Sequence, residues 1–215
     1  VLYRSTDGVE AVVEQRCREV GAALHKVDFT QLHLRQHSLE GQVFDFGGRE
    51  NLHLPLLGKH QLHNAAVALT TLDVLQKRGW QITEEDIRQG LSRVMWPGRF
   101  QIIRRDPLFL IDGGHNPQCI QALAQNIADY LPNRPLTVLT GVLSDKDYHC
   151  MYRSVANHAV EFITVTPDNP RALTAQELAK YLASFGKPVT PCDTVADGVR
   201  LAIDHAGKDG TVLCY

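Results

Sequence analysis

The sequence has 215 residues, 44% of them hydrophobic and 21% charged, with 22 basic against 24 acidic side chains and a net charge of −2. That length allows one large or two small domains with a real core, and the composition is that of an ordinary globular chain. The balanced charge offers no basic surface for a nucleic acid or a membrane, and no apolar run approaches the roughly 20 residues of a membrane span.

In chain order, Val9, Val12, Val13, Cys17, Val20 and Ala23 recur at helical spacing and predict an amphipathic helix over 8–23, followed by a short strand over 24–27. Alternation in Gln42 to Phe46 and in Asn51 to Pro55 flanks Gly47-Gly48, the pattern of a β-hairpin. From His60 to Arg78, Leu62, Ala65, Ala66, Leu69, Leu72 and Leu75 share one helix face, and Lys77-Arg78-Gly79 is a basic last turn with its terminal glycine. A second helix starts at Thr83 with Asp86 in the capping-box place, and the two helices are expected to pack together. No helix continues through Pro97-Gly98, so Met95 to Phe100 is the expected domain joint, with Arg99 at it.

Beyond the joint the pattern becomes regular. Strands near Ile102 and over 108–111, 136–143, 160–166, 188–192 and 211–215 alternate with helices over about 117–131, 145–158, 175–185 and 195–206. This is an α/β arrangement: a Rossmann-like, mostly parallel sheet with helices on both faces. The expected division is 1–96 and 97–215.

Leu108 to Pro117 reads as a buried strand, a glycine turn and a helix start capped by Asn116. Such a turn lies at the carboxyl end of a strand, where open α/β sheets bind ligands, so Asp112 and His115 are aimed at a pocket. The alternatives are that Asp112 braces the turn and that His115 is solvated. Ser144-Asp145-Lys146-Asp147 follows another strand and faces the same edge; Ser144 and Asp147 fit a helix cap, and Lys146 is left open. No P-loop, G-x-G-x-x-G or nucleophile elbow is present. Five scattered cysteines without C-x-x-C fit a reduced, cytoplasmic protein. The pairs His33/His37 and His60/His63 lack the carboxylate or cysteine neighbours of a zinc site, so no metal ligands are assigned. A start on Val1 rather than Met, and an end inside a strand, suggest a piece of a longer protein.

Four segments occur in order: Leu57 to Ala68, Trp96 to Phe100, Leu110 to Pro117 and Gly141 to Asp147. Together they resemble the folylpolyglutamate synthase and dihydrofolate synthase family of Mur-type ligases, from about Gly58 to the end. The resemblance implies an ATP-dependent carboxylate–amine ligase that adds L-glutamate to dihydropteroate or folate through an acyl phosphate. It implies the tail of the central ATPase domain in 1–96 and the C-terminal ligase domain in 97–215. By matching motifs, Asn64 contacts the adenine, Arg99 the phosphates and Asp112 the ribose or phosphate edge. His115 lies near the transferring phosphoryl group, and Lys146 is a candidate for a substrate carboxylate.

Each role has a plain rival: Asn64 as a polar residue on an exposed face, Arg99 as a surface ion pair worth about 0–1 kcal/mol. The family's P-loop and Mg²⁺ ligands belong to a front half that precedes these residues, so the 215 residues alone are expected to be inactive. The family also usually shows Ala where this chain has Gly114, a change expected to loosen the turn mildly. A monomer is implied. Other readings are a different Mur-type ligase and a non-catalytic nucleotide-binding module.

Overall fold

The computed structural model describes residues 1–3 and 8–215. The chain divides into two compact units, Val1–Met95 and Trp96–Tyr215.

In the first unit, helix α1 (Val9–Val20) buries no side chain and ends on Gly21, whose φ of 66° is the left-handed conformation glycine adopts freely. The strand expected over 24–27 shrinks to a single bridge between Leu2 and Lys26. Strands β1 (His33–Ser38), β2 (Gly41–Phe46) and β3 (Arg49–Leu54) form an antiparallel sheet in that order. The hairpin at Gly47-Gly48 was expected. Strand β1 was not, because its side chains are almost all exposed and carry no apolar alternation. Helix α2 (Lys59–Lys77) lays Leu62, Ala65, Ala66 and Leu69 on Phe44, Phe46, Leu52 and Leu54 of the sheet.

Helix α3 (Glu84–Ser92) starts at the expected Thr83/Asp86 capping box, but it docks on β3 rather than lying along α2. Two polar ties explain this. Arg49 of β3 pairs with Glu84 at 2.9 Å, and Arg88 donates to the Glu50 carbonyl at 3.0 Å. With Ile87 as its one fully buried residue, α3 has too narrow an apolar stripe to choose a partner by hydrophobic area alone.

The second unit opens with β4 (Gln101–Arg105), which runs antiparallel to β5 (Leu108–Ile111). The remaining strands are β6 (Leu136–Thr140), β7 (Ala159–Thr164), β8 (Val189–Pro191) and β9 (Thr211–Cys214), all parallel with β5. The six-stranded order is β4-β5-β9-β6-β7-β8. Helices α4 (Pro117–Tyr130), α5 (Tyr148–Ala156), α6 (Ala175–Leu182) and α7 (Val195–Ala206) join the parallel strands.

Both faces of the sheet are covered. Ile163 and Leu139 pack with Ala202 of α7, whereas Phe162, the neighbour of Ile163 and hence on the opposite face, meets Tyr152 of α5. That double coverage is why β5 reads as a continuous apolar run and β6 is buried along its whole length. Strand β6 ends at Thr140, earlier than expected, and the backbone at Gly141 runs close to the segment after β7: a Cβ there would lie 2.7 Å from the Val165 carbonyl oxygen. The chain passes from β5 to β6 over the place that β9 later fills from the other end of the sheet. The carboxyl ends of β5, β9 and β6 therefore open together at a switch in connection direction, where such sheets hold ligands. Among the described residues no helix is long and apolar enough to cross a membrane.

Candidate active site

The turn after β5 is built around one carboxylate. Asp112 Oδ1 accepts the Gly114 N–H at 2.7 Å, and Oδ2 accepts the Phe100 N–H at 2.9 Å. The Gly113 N–H donates to the Gly98 carbonyl at 2.7 Å, and the Gly98 N–H to Gln101 Oε1 at 2.9 Å. The loop carrying Arg99 and the turn carrying His115 are thus clamped to each other by Asp112 and the adjoining backbone. Gly114 is part of the clamp. A Cβ there would sit 2.8 Å from Asp112 Oδ1 and 3.3 Å from the Cys119 Cβ, so alanine at this place crowds the carboxylate instead of being the mild difference expected.

His115 is exposed, and its Nδ1 lies 2.9 Å from the Gly113 carbonyl oxygen. A carbonyl only accepts, so Nδ1 carries the hydrogen and, in the neutral ring, Nε2 is left as an acceptor. Asn116 caps α4 by accepting the Cys119 N–H at 2.9 Å, with Pro117 at the first helical position, as the sequence indicated.

The second turn follows β6. Asp147, not Ser144, is the N-cap of α5, accepting the Cys150 N–H at 3.2 Å. Ser144 is engaged through its backbone, its N–H donating to the Arg171 carbonyl at 2.8 Å, while Asp145 pairs with the Arg171 guanidinium at 2.7 Å. Lys146 lies between the anchored Asp145 and Asp147 and is half-buried.

Asp112, His115 and Lys146 line one pocket of about 320 Å³ together with Gly141, Val142 and Met151. Two tyrosines complete its wall. Thr140 Oγ1 donates to the Tyr215 carbonyl at 2.7 Å, so the Tyr152 hydroxyl, 2.7 Å from Thr140 Oγ1, must donate to Thr140 Oγ1. Burial pushes both phenols well above the usual tyrosine range and keeps them neutral, and the Tyr215 hydroxyl is buried without a hydrogen-bond partner. Sequence reading did not select these wall residues. Val142, Met151, Tyr152 and Tyr215 are apolar or aromatic positions whose pattern says only that they are core. The pocket therefore combines an ammonium, an imidazole acceptor and apolar walls: an arrangement for an anion with a reacting group beside it.

Arg99 is half-buried on the clamped loop. Asn64 belongs to the first unit, on α2, where it is exposed. No cluster of three or more His, Cys, Asp or Glu suited to a metal occurs among the described residues, and no step is assigned to a metal held by this chain. His63 is instead part of an aromatic group, 3.0 Å from the Tyr3 hydroxyl with the Phe29 ring centroid 4.7 Å away.

Residues 98–215 match the family described as Mur ligase, glutamate ligase domain. The folylpolyglutamate synthase of Lacticaseibacillus casei is 39% identical over 139 residues, 62% of this chain and 32% of that protein. Among solved structures, Mycobacterium tuberculosis folylpolyglutamate synthase complexed with ADP and AMPPCP superposes with a TM-score of 0.83 at 27% identity, covering 98% of this chain and 51% of that one. A bifunctional folylpolyglutamate synthase/dihydrofolate synthase with Mn, AMPPNP and L-glutamate bound gives 0.71 at 27% identity, over 95% and 47%. The chain spans about a third of the length of the curated relative and about half of the solved ones.

Proposed function

The chain belongs to the Mur ligase family, in its folylpolyglutamate and dihydrofolate synthase branch, and from that premise we propose that it is the C-terminal part of an ATP-dependent ligase. The ligase joins L-glutamate to a dihydropteroate or folate carboxylate. The first unit is the end of the central ATP-binding domain, and the second is the ligase domain. The observation that carries this reading is the pocket lined by Asp112, His115 and Lys146 within the segment that matches glutamate ligases.

In this reaction a carboxylate oxygen of the acceptor attacks the γ-phosphorus of ATP and ADP departs. The glutamate amine then attacks the acyl carbon, an amide bond forms, and phosphate leaves with the acyl oxygen. Such chemistry is positioning and charge neutralisation. Lys146 holds a carboxylate of the incoming glutamate, and the apolar wall excludes water from the acyl phosphate. His115, its Nε2 free to accept, stands beside the transferring phosphoryl group. Arg99 meets the phosphates and Asn64 the adenine. Asp112 lies on the nucleotide edge, where its carboxylate holds the Arg99 loop. Mg²⁺ supplies charge neutralisation at the phosphates through ligands outside these residues.

The test is glutamate-dependent ADP formation by the full-length protein that contains this chain, with dihydropteroate, reduced folates and cell-wall nucleotide peptides as acceptors. Turnover with the folates supports the reading. Turnover only with the cell-wall acceptors transfers the chain's role to another Mur-type reaction. ATP is expected to bind the isolated chain only weakly in calorimetry, since the phosphate cradle lies elsewhere; tight binding there favours a self-contained nucleotide-binding module. The full-length protein is expected to be a cytoplasmic monomer, which gel filtration and fractionation check.

A further inference from the structure

Tyr152 and Thr140 are each 1% exposed and lie twelve residues apart, one on α5 and the other at the last residue of β6. Their hydroxyls meet at 2.7 Å, and Thr140 Oγ1 gives its one hydrogen to the Tyr215 carbonyl at 2.7 Å. The far end of this chain cannot turn. It is a backbone carbonyl next to the end of β9, a strand held on one side by β5 and on the other by β6. Because a carbonyl only accepts, the hydrogens run in one direction, from Tyr152 to Thr140 to Tyr215.

The ring of Tyr152 is placed by packing: it stands edge-on to Phe162 at 6.4 Å between centroids and beside Tyr215 at 5.6 Å. A pair of buried hydroxyls adds little net stability over apolar groups of the same shape. What the pair adds is a closure. It joins α5 to the end of β6, and the segment 141–151 between them carries Lys146 and Met151 to the pocket. The ion pair from Asp145 of that segment to Arg171 is exposed, where water competes for it. The buried tie is thus the firmer hold on the turn that presents Lys146.

We infer that Tyr152 is a positioning residue for the amino-acid substrate: acting through Thr140, it fixes the Lys146 segment to the strand ends and so sets the affinity of the pocket for glutamate. The inference rests on the reading above that Lys146 holds a glutamate carboxylate. The Tyr152 hydroxyl gives its hydrogen to Thr140 and none to substrate.

The experiment measures kcat and KM for L-glutamate and for ATP in the full-length protein and its variants. Tyr152→Phe keeps the ring and removes the tie, so KM for glutamate rises about three- to tenfold, the worth of one neutral hydrogen bond, with KM for ATP unchanged. Thr140→Val breaks the same chain and gives the same rise, whereas Thr140→Ser retains the hydroxyl and the wild-type KM. Combining Tyr152→Phe with Thr140→Val raises KM no further, because the two side chains act as one unit. A role in stability alone lowers the melting temperature without separating the two KM values. If Tyr152→Phe fails to fold, as judged by thermal melting, Thr140→Val carries the measurement. An unchanged KM for glutamate, or equal shifts in both KM values, with Lys146→Met impaired for glutamate, overturns the role of Tyr152 alone. An unchanged KM for glutamate in Lys146→Met overturns the reading of Lys146, and the inference with it.

Discussion

Asp112 Oδ2 holds the backbone N–H of Phe100 at 2.9 Å, and Phe100 has a left-handed φ of 45°. A non-glycine residue in that region costs about 1–2 kcal/mol, and it persists here because the ring is buried against Tyr130 and the N–H is pinned by a charge. The pinned residue follows Arg99, and the other oxygen of the same carboxylate holds Gly114, which precedes His115. One side chain thus fixes the backbone at two candidate functional positions.

Asp112→Ala leaves two backbone N–H groups without their charged acceptor and is expected to lower stability by about 1.5–3 kcal/mol. Asp112→Asn is expected to fall nearly as far, because its NH₂ then faces one of the two donors. Denaturant unfolding of the chain measures both. In the full-length protein the same variants raise KM for ATP and lower kcat together, since Arg99 and His115 lose their placement at once.

Lys146→Met removes an ammonium without shortening the side chain much. KM for L-glutamate is expected to rise about tenfold or more, the value of a charge-assisted hydrogen bond, with kcat changed less. Steady-state kinetics with varied glutamate at saturating ATP decides it. An unchanged KM separates Lys146 from the amino-acid substrate.

Gly198 lies within α7, where a Cβ would sit 2.5 Å from Val165 Cγ1 and 3.0 Å from Leu139 Cδ1. Gly198→Ala gains about 1 kcal/mol of helix propensity, but overpacking a closed core costs about 1–3 kcal/mol, and the β-branched Val165 has little freedom to yield. A lower melting temperature is expected. A rise would show that α7 can shift outward without cost.

Burial pushes His63 below its ordinary value of 6.5. The unfolded chain then takes up the proton more readily than the folded one. This contribution to stability is present above the unfolded pKa and is lost as pH falls through about 6.5 toward the lower folded value. The melting temperature of wild type is expected to drop from pH 7.5 to pH 5 by more than that of His63→Asn, which has no such proton to bind. Parallel curves for the two proteins would remove His63 as the cause.

Local chemistry made much of the fold legible. The Thr83/Asp86 capping box and the Asn116 cap before Pro117 are short-range hydrogen bonds between residues three apart, and each lies where the pattern placed it. The apolar run of β5 and the glycine turn after it likewise follow from neighbours in sequence. Strand β1 was illegible because an exposed edge strand carries no alternation, and the cap of α5 fell on Asp147 rather than Ser144 because Ser144 is drawn away by Arg171.

By itself the sequence determined where the helices and the strands of the second unit lie, and that Asp112, His115 and Lys146 follow strand ends. Only the tertiary structure decided that β9 enters between β5 and β6, that this brings the three residues to one pocket beside Tyr152 and Tyr215, and that Asp112 clamps the Arg99 loop. Helical and strand periodicity record how a segment meets the core as a whole, not which distant segment it meets. Those pairings are set by packing across the folded sheet, between residues far apart along the chain.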